Sequence, residues 1–358
     1  MSTAVRERLS PSSFIGVKGE GIISFGSGQP DLPPPPEAFE ALGRFRDFRY
    51  GLIQGLPELR EELGGHYPES TPANVVITNG ASEALDLALR VIARREGPGA
   101  PKVLMARPYY YSYPEVARFA GLEPVFVRTV DGRIDLDDFS SKVEGCRAVI
   151  INSPSNPTGR VEDVGTLVEI ERITARAGIY VLSDEVYKDL MYERENYLIN
   201  GPRVVTINSF SKTYSMCGFR IGYLWSLDPD LVSDVVSMKT HTSMNTNILA
   251  QEMALAASRA PRAYIERQLE IWRARRDLIY RGLTDLGLDV WRPEGAFYVM
   301  PRVRDPEDFV WRLYREHKVI TYLGAWFGSP TRVRLSYALD IEKIEAGLSR
   351  IRAYLDGR

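Results

Sequence analysis

The chain has 358 residues, 44% of them apolar and 26% charged, proportions of a globular protein with a large core of its own. Lys plus Arg total 45 against 47 Asp plus Glu, a net charge of -2, which excludes a dedicated nucleic-acid binder with its excess of basic groups. The 2 cysteines, Cys146 and Cys217, and the 3 dispersed histidines exclude a disulfide framework and argue against a structural zinc site.

No apolar stretch is long enough to span a bilayer, and the polar start MSTAVRERLS lacks the apolar core of a secretory signal. The expected location is therefore cytoplasmic, with neither membrane nor nucleic acid as a partner. The run GSGQPDLPPPP reads as an ordered loop that ends where Pro36 and Glu37 open a helix, rather than as a polyproline ligand. VVIT (Val75–Thr78) is a short β-branched run, hence a strand, and Ser82–Arg95 carries the apolar spacing of a buried helix. VLMA (Val103–Ala106), PVFV (Pro124–Val127) and AVIIN (Ala148–Asn152) are further strands. A helix follows around Val164–Ala177, then strands IYVLSD (Ile179–Asp184) and VVTIN (Val204–Asn208). Strands without polar alternation, separated by helices, describe a mostly parallel sheet covered on both faces.

Beyond Ile248 the texture changes. A periodic stretch runs to Leu286 with a break near Ala260-Pro261, and AYIERQLEIWRARRDLIYRGL reads as one long amphipathic helix. Shorter pieces follow: GAFYVMP as a strand, DPEDFVWRLYREH as a helix, TRVRLSYA as a strand and IEKIEAGLSRIRAYL as a final helix. A second, smaller domain is expected from about residue 265, with the first 25 residues packed on it.

Ligands of open parallel sheets bind at the carboxyl ends of the strands. Those ends carry polar groups here: Asn152 and Asn156 in NSPSNPTG, Asp184 and Tyr187 in SDEVY, Ser209, Ser211 and Lys212 in SFSK, and Gly80, Ala81 and Ser82 in NGAS. A strand-to-helix turn with free N–H groups suits a phosphate, although Ser82 taken alone reads as an ordinary helix cap. Only 8 of the 45 basic residues are lysine. Lys212 stands between apolar and aromatic flanks, a desolvating setting for a Schiff-base amine. Asp184 ends an apolar strand, and a buried carboxylate wants a cationic partner such as a protonated ring nitrogen. Lysine amine, carboxylate and phosphate cradle together are the requirements of pyridoxal phosphate.

From GQPD at Gly28 to RLSYA at Arg334 these motifs, SFSKTYSMCGFRIGY most of all, resemble the fold-type I pyridoxal-phosphate enzymes, class I/II aminotransferases of the aspartate-aminotransferase-like group. The resemblance implies an α/β fold: a large domain, residues 26–264, with a mostly parallel sheet of the seven-stranded type covered by helices, plus a smaller α+β domain of residues 1–25 and 265–358. It implies that Lys212 holds pyridoxal 5'-phosphate and shuttles the proton, that Asp184 pairs with the ring nitrogen, and that Tyr187 and Asn156 donate to the phenolic oxygen. Tyr110 in RPYYYSYPE would stack on the ring. Gly80, Ala81, Ser82, Ser209, Ser211 and Arg220 would hold the phosphate. Tyr50 would reach the phosphate of a neighbouring subunit, so the resemblance implies a homodimer with shared sites. Arg334, with Gly28 and Asn156 nearby, would clamp the substrate α-carboxylate.

The implied activity is transfer of an α-amino group from aspartate, alanine or an aromatic amino acid to a 2-oxo acid such as 2-oxoglutarate, by a ping-pong cycle. A C–S β-lyase on the same fold is the nearest alternative. A nicotinamide dehydrogenase is disfavoured by the missing G-x-G-x-x-G fingerprint. Two departures touch the side-chain pocket: some relatives have a lysine where Ser82 stands and use it for acidic substrates, and the family's P-G-x-x-F-G turn reads LGAWFG here. Phe14, Ile15, Tyr110, Tyr322 and Trp326 are candidates for lining that pocket, and Arg292 for an extra anion contact.

Overall fold

The computed structural model describes residue 17, residues 19–95 and residues 100–357. Seven strands form the central sheet: β1 (Val75–Thr78), β2 (Lys102–Ala106), β3 (Glu123–Val127), β4 (Ala148–Asn152), β5 (Tyr180–Asp184), β6 (Val204–Ser209) and β7 (Gly222–Ser226). Their spatial order is β1-β7-β6-β5-β4-β2-β3. All neighbours from β6 to β3 run parallel, and β7 is antiparallel to both β1 and β6. The sheet is thus mostly parallel, as its unalternating strands require. β7 is the strand that the sequence pattern hides, because GYLWS is a short apolar run that opens on a glycine.

Helices cover both faces: α1 (Ala81–Arg94), α2 (Val164–Ala177), α3 (Pro229–Thr242) and α4 (Ile248–Ser258). Alternate strand residues point to opposite layers. Val76, Ile150, Leu182 and Ile207 pack on α1 and α3. Val149, Ile151 and Val181 pack on Leu167 and Ile170 of α2, and Val75, Ile77 and Trp225 on Met253 and Ala254 of α4.

The C-terminal part follows a long helix, α5 (Arg262–Asp285), whose 24 residues span about 36 Å. Trp272, Ile279 and Leu283 of α5 share one core with Phe309 and Leu313 of α6 (Pro306–His317) and Ile344 and Ile351 of α7 (Ile341–Asp356). A three-stranded antiparallel sheet joins Tyr298–Val299, Val333–Ser336 and Tyr322–Leu323, with Val333–Ser336 central. The strand expected over GAFYVMP is shortened to Tyr298–Val299, because Ala296 sits at φ 53, outside the strand region. Ile23–Ser24 pairs in parallel with Val319–Ile320, and Phe25 is fully buried in the same C-terminal core.

Candidate active site

A cavity of about 370 Å³ opens at the carboxyl ends of β4, β5 and β6, between the start of α1, the loop Gly26–Gln29 and the antiparallel sheet. Twelve of the fourteen sequence-derived site residues line it: Gly28, Ala81, Ser82, Tyr110, Asn156, Asp184, Tyr187, Ser209, Ser211, Lys212, Arg220 and Arg334; Gly80 stands at its edge against Arg220, and Tyr50 lies elsewhere. Gly80 meets the cavity through Arg220: a Cβ built on it would lie 2.5 Å from that guanidinium.

Asp184 ends β5 and is buried. Its Oδ2 accepts from the Tyr113 hydroxyl at 2.5 Å and its Oδ1 from the Val186 N–H at 3.3 Å. Burial pushes its carboxyl up to about 6, against the pull of the Tyr113 hydrogen bond, and among the described residues no cation pairs with it directly. Lys212 lies in a short helix, Phe210–Thr213, whose first turn is capped by Ser209, and its Nζ donates to the Gly28 carbonyl at 2.7 Å. The Tyr187 hydroxyl is 2.8 Å from that of Tyr298. Asn156 donates its backbone N–H to Asn152 Oδ1 at 2.8 Å, and Asn152 Nδ2 donates to the Asp184 carbonyl at 3.0 Å, which ties the ends of β4 and β5 together.

At one end of the cavity α1 begins. Gly80 adopts φ 79, a conformation glycine allows, and supplies no side-chain cap to the helix. Gly222 of β7 lies so close that a Cβ on it would sit 2.7 Å from the Ala81 nitrogen. Ser209 Oγ is 2.9 Å from Ser211 Oγ, and Arg220, itself at φ 53, donates to the Cys217 carbonyl at 3.1 Å. Helix N–H groups, two hydroxyls and a guanidinium make an anion cradle. At the other end Arg334 donates to Asn156 Oδ1 at 3.1 Å and to the Gly26 carbonyl, while its Nε is buried with no hydrogen-bond partner among the described residues.

Tyr110 lines the cavity with its ring 5.4 Å from Tyr113. Tyr50 is 85% exposed and is no part of its own chain's cavity. Arg292 forms a surface ion pair with Glu193 at 2.5 Å, away from the site. Arg332, two residues before Arg334, is held by Asp289 at 2.8 Å and by the Met300 carbonyl at 2.7 Å. Tyr322 lines the cavity, Trp326 packs behind it, and Phe14 and Ile15 lie outside the described residues.

Two contributors to the cavity, Tyr113 and Tyr298, escaped the sequence reading. Tyr113 lies inside the motif RPYYYSYPE with no signal of its own, although the turn that joins it to the Tyr110 carbonyl at 2.9 Å brings both rings to the cavity. Tyr298 was hidden inside a strand pattern. Glu185, next to Asp184, is buried on the far side of β5, where burial raises its carboxyl to about 7 beside Ser183 Oγ at 3.0 Å.

Comparison with known proteins decides the family. The pattern of the family described as "Aminotransferase class I and II" matches residues 20–351. The chain belongs to the class I and II aminotransferases. This aminotransferase is 34% identical to the aspartate aminotransferase of Thermotoga maritima, over 95% of this chain and 93% of that one. It is 30% identical to the aspartate aminotransferase of Bacillus subtilis, over 97% of each chain. The crystal structure of the Thermotoga maritima enzyme superposes with a TM-score of 0.90 at 32% identity, covering 99% of this chain and 100% of that one. An aromatic aminotransferase from Pyrococcus horikoshii superposes with a TM-score of 0.88 at 30% identity, covering 98% of this chain and 99% of that one. No helix among the described residues is long and apolar enough to cross a membrane.

Proposed function

We propose that this aminotransferase uses pyridoxal 5'-phosphate, held in the cavity at the strand ends, to move an α-amino group from an amino acid to a 2-oxo acid such as 2-oxoglutarate. One observation carries the reading: a buried carboxylate with a raised pKa, Asp184, and an amine, Lys212, face one cavity between an anion cradle and a buried arginine. The residues fit the cofactor. Asp184 lacks a cationic hydrogen-bond partner among the described residues, and the start of α1 with Ser209, Ser211 and Arg220 offers donors to a dianion.

Bound pyridoxal phosphate supplies the carbonyl carbon that receives the amine and a ring that draws electron density from the substrate Cα. The protein's residues do the rest. Asp184 would hold a proton on the ring nitrogen. Tyr187 and Asn156 would hold the phenolic oxygen, and Tyr110 would pack on the ring. Gly80, Ala81, Ser82, Ser209, Ser211 and Arg220 would hold the phosphate. Arg334, with Asn156 and the loop at Gly28, orients the substrate α-carboxylate. Lys212 Nζ takes and returns the proton of the substrate Cα.

The reading includes a homodimer in which Tyr50 reaches the neighbouring subunit. Phe39, Leu42, Phe48, Tyr50 and Leu52 are all exposed within one short segment, an apolar surface of the kind that subunit contacts cover. It also includes two domains, residues 26–264 and residues 1–25 with 265–358, supported by the pairing of Ile23–Ser24 with Val319–Ile320. A cytoplasmic location accords with the two free thiols, Cys146 and Cys217.

Product analysis tests the activity. With an amino acid and 2-oxoglutarate, glutamate is expected to form in step with the donor's 2-oxo acid. Lys212→Ala is expected to lower kcat by at least about 100- to 10,000-fold. Ammonia and pyruvate released without any acceptor would instead make the enzyme a lyase.

A further inference from the structure

The two ends of the cavity differ in more than charge. Arg334 is surrounded by rings: its guanidinium carbon is 4.7 Å from the Tyr298 centroid, 4.8 Å from Tyr322 and 4.7 Å from Phe327. Tyr111 lines the cavity beside them, 5.9 Å from Phe327 and 4.8 Å from Tyr110, and Trp326 backs Tyr322 at 5.6 Å. The loop opposite is cut to fit these rings. A Cβ on Gly26 would stand 2.3 Å from the Tyr322 ring, and one on Gly28 would stand 2.1 Å from the Tyr298 hydroxyl. The rings press against bare backbone there.

We propose that the amino donor is a neutral aromatic amino acid rather than an acidic one, and that Tyr111 and Tyr322 form the wall that selects it. The inference rests on the reading above, in which Arg334 takes the α-carboxylate. A substrate anchored at Arg334 lays its side chain against the neighbouring wall, and that wall is aromatic. The charged groups lining the cavity among the described residues are Asp184, Lys212, Arg220 and Arg334. Asp184 and Lys212 belong to the chemistry, Arg220 stands against Gly80 at the opposite end, and Arg334 is used by the α-carboxylate. A second carboxylate at the Arg334 end would meet rings with electron-rich faces, an unfavourable burial for an anion. An aromatic side chain gains ring contacts at the same place. The substrate class is thus separated from that in the names of the aspartate aminotransferases the chain resembles.

The test uses the holoenzyme with pyridoxal phosphate and 2-oxoglutarate, and compares kcat/KM for L-phenylalanine, L-tyrosine, L-aspartate and L-alanine. The aromatic donors are expected to exceed aspartate by about 10-fold or more. Tyr111 is half-buried, so its replacement is compatible with folding. Tyr111→Ala is expected to lower the phenylalanine-to-alanine ratio of kcat/KM by about 10-fold, and Tyr111→Arg to raise the aspartate-to-phenylalanine ratio by a similar factor. Aspartate turned over as well as phenylalanine by the unaltered enzyme would overturn this inference and leave the aminotransferase reading intact. Ratios unmoved by both variants would remove Tyr111 from the selecting wall. Absence of amine transfer from all four donors would overturn both readings.

Discussion

Asp184 is arranged for a partner with a positive charge, and its environment without one is unfavourable. A carboxyl raised from 3.8 to about 6 prefers its proton in the folded state, so folded protein binds more protons than unfolded protein between those values. The penalty is absent below about pH 4, grows as pH rises through 6, and levels near 3 kcal/mol. Asp184→Asn is therefore expected to raise the Tm of the cofactor-free protein at pH 7 and to leave it nearly unchanged at pH 4. The same variant should bind pyridoxal phosphate more weakly. Equal Tm differences at the two pH values would remove the electrostatic account of this residue.

Tyr113 would act on the proposed cofactor through Asp184. Its hydroxyl donates at 2.5 Å to the carboxylate that the cofactor's ring nitrogen would face. Losing a hydrogen bond to a charged group costs about 1.5–3 kcal/mol. Tyr113→Phe should thus raise the Asp184 pKa further and weaken cofactor binding by roughly 10-fold or more. A fluorescence titration reads the dissociation constant directly. An unchanged constant would make Tyr113 a packing residue only.

At the scale of elements, the decisive contact is between β7 and the start of α1. Gly222 pairs with Thr78 on one side and Ser209 on the other, and so joins the two segments that carry the anion cradle. A Cβ there would meet the Ala81 nitrogen, the Asn208 carbonyl oxygen and the Gly80 carbonyl carbon, each at 2.7 Å, and all three are backbone atoms. Gly222→Ala is expected to destabilise the fold by about 1–3 kcal/mol and to weaken phosphate retention together with it. Thermal melts with and without pyridoxal phosphate would show both effects, and a wild-type melt in both conditions would contradict the close packing.

Element legibility followed physical rules. Fully buried parallel strands are continuous apolar runs, so β1, β4 and β6 were readable within a residue or two, and α2 was readable at its full length. β7 was not, because an antiparallel strand of five residues opening on glycine has no pattern of its own. The same limit applied to the site. Residues at strand ends announced themselves by polarity after an apolar run. Tyr113 and Tyr298 did not, because each acts through a hydroxyl partner far away in sequence, Asp184 and Tyr187 respectively.

At the scale of the whole molecule, the cavity is assembled from distant parts of the chain: the loop at Gly28, the sheet ends from Ala81 to Lys212, and Arg334 near the C-terminus. Such a site depends on the fixed relation of the sheet to the C-terminal core. Arg334 spans the two through Asn156 at 3.1 Å and the Gly26 carbonyl. The exposed apolar side chains from Phe39 to Leu52 would give the proposed second copy a surface to cover. Sedimentation is expected to give a dimer, and Tyr50→Phe is expected to lower cofactor retention without altering the fold. A fully active monomer would contradict the shared site.

The central claim is that Lys212 and Asp184 hold pyridoxal phosphate for amine transfer. The measurement that tests it most directly is the visible absorption spectrum of the protein mixed with pyridoxal phosphate, before and after adding amino acids one at a time. The account predicts a lysine-dependent yellow band that bleaches with accepted donors and is missing in Lys212→Ala. A band that forms equally well in Lys212→Ala, or no band at all in the unaltered protein, would contradict it.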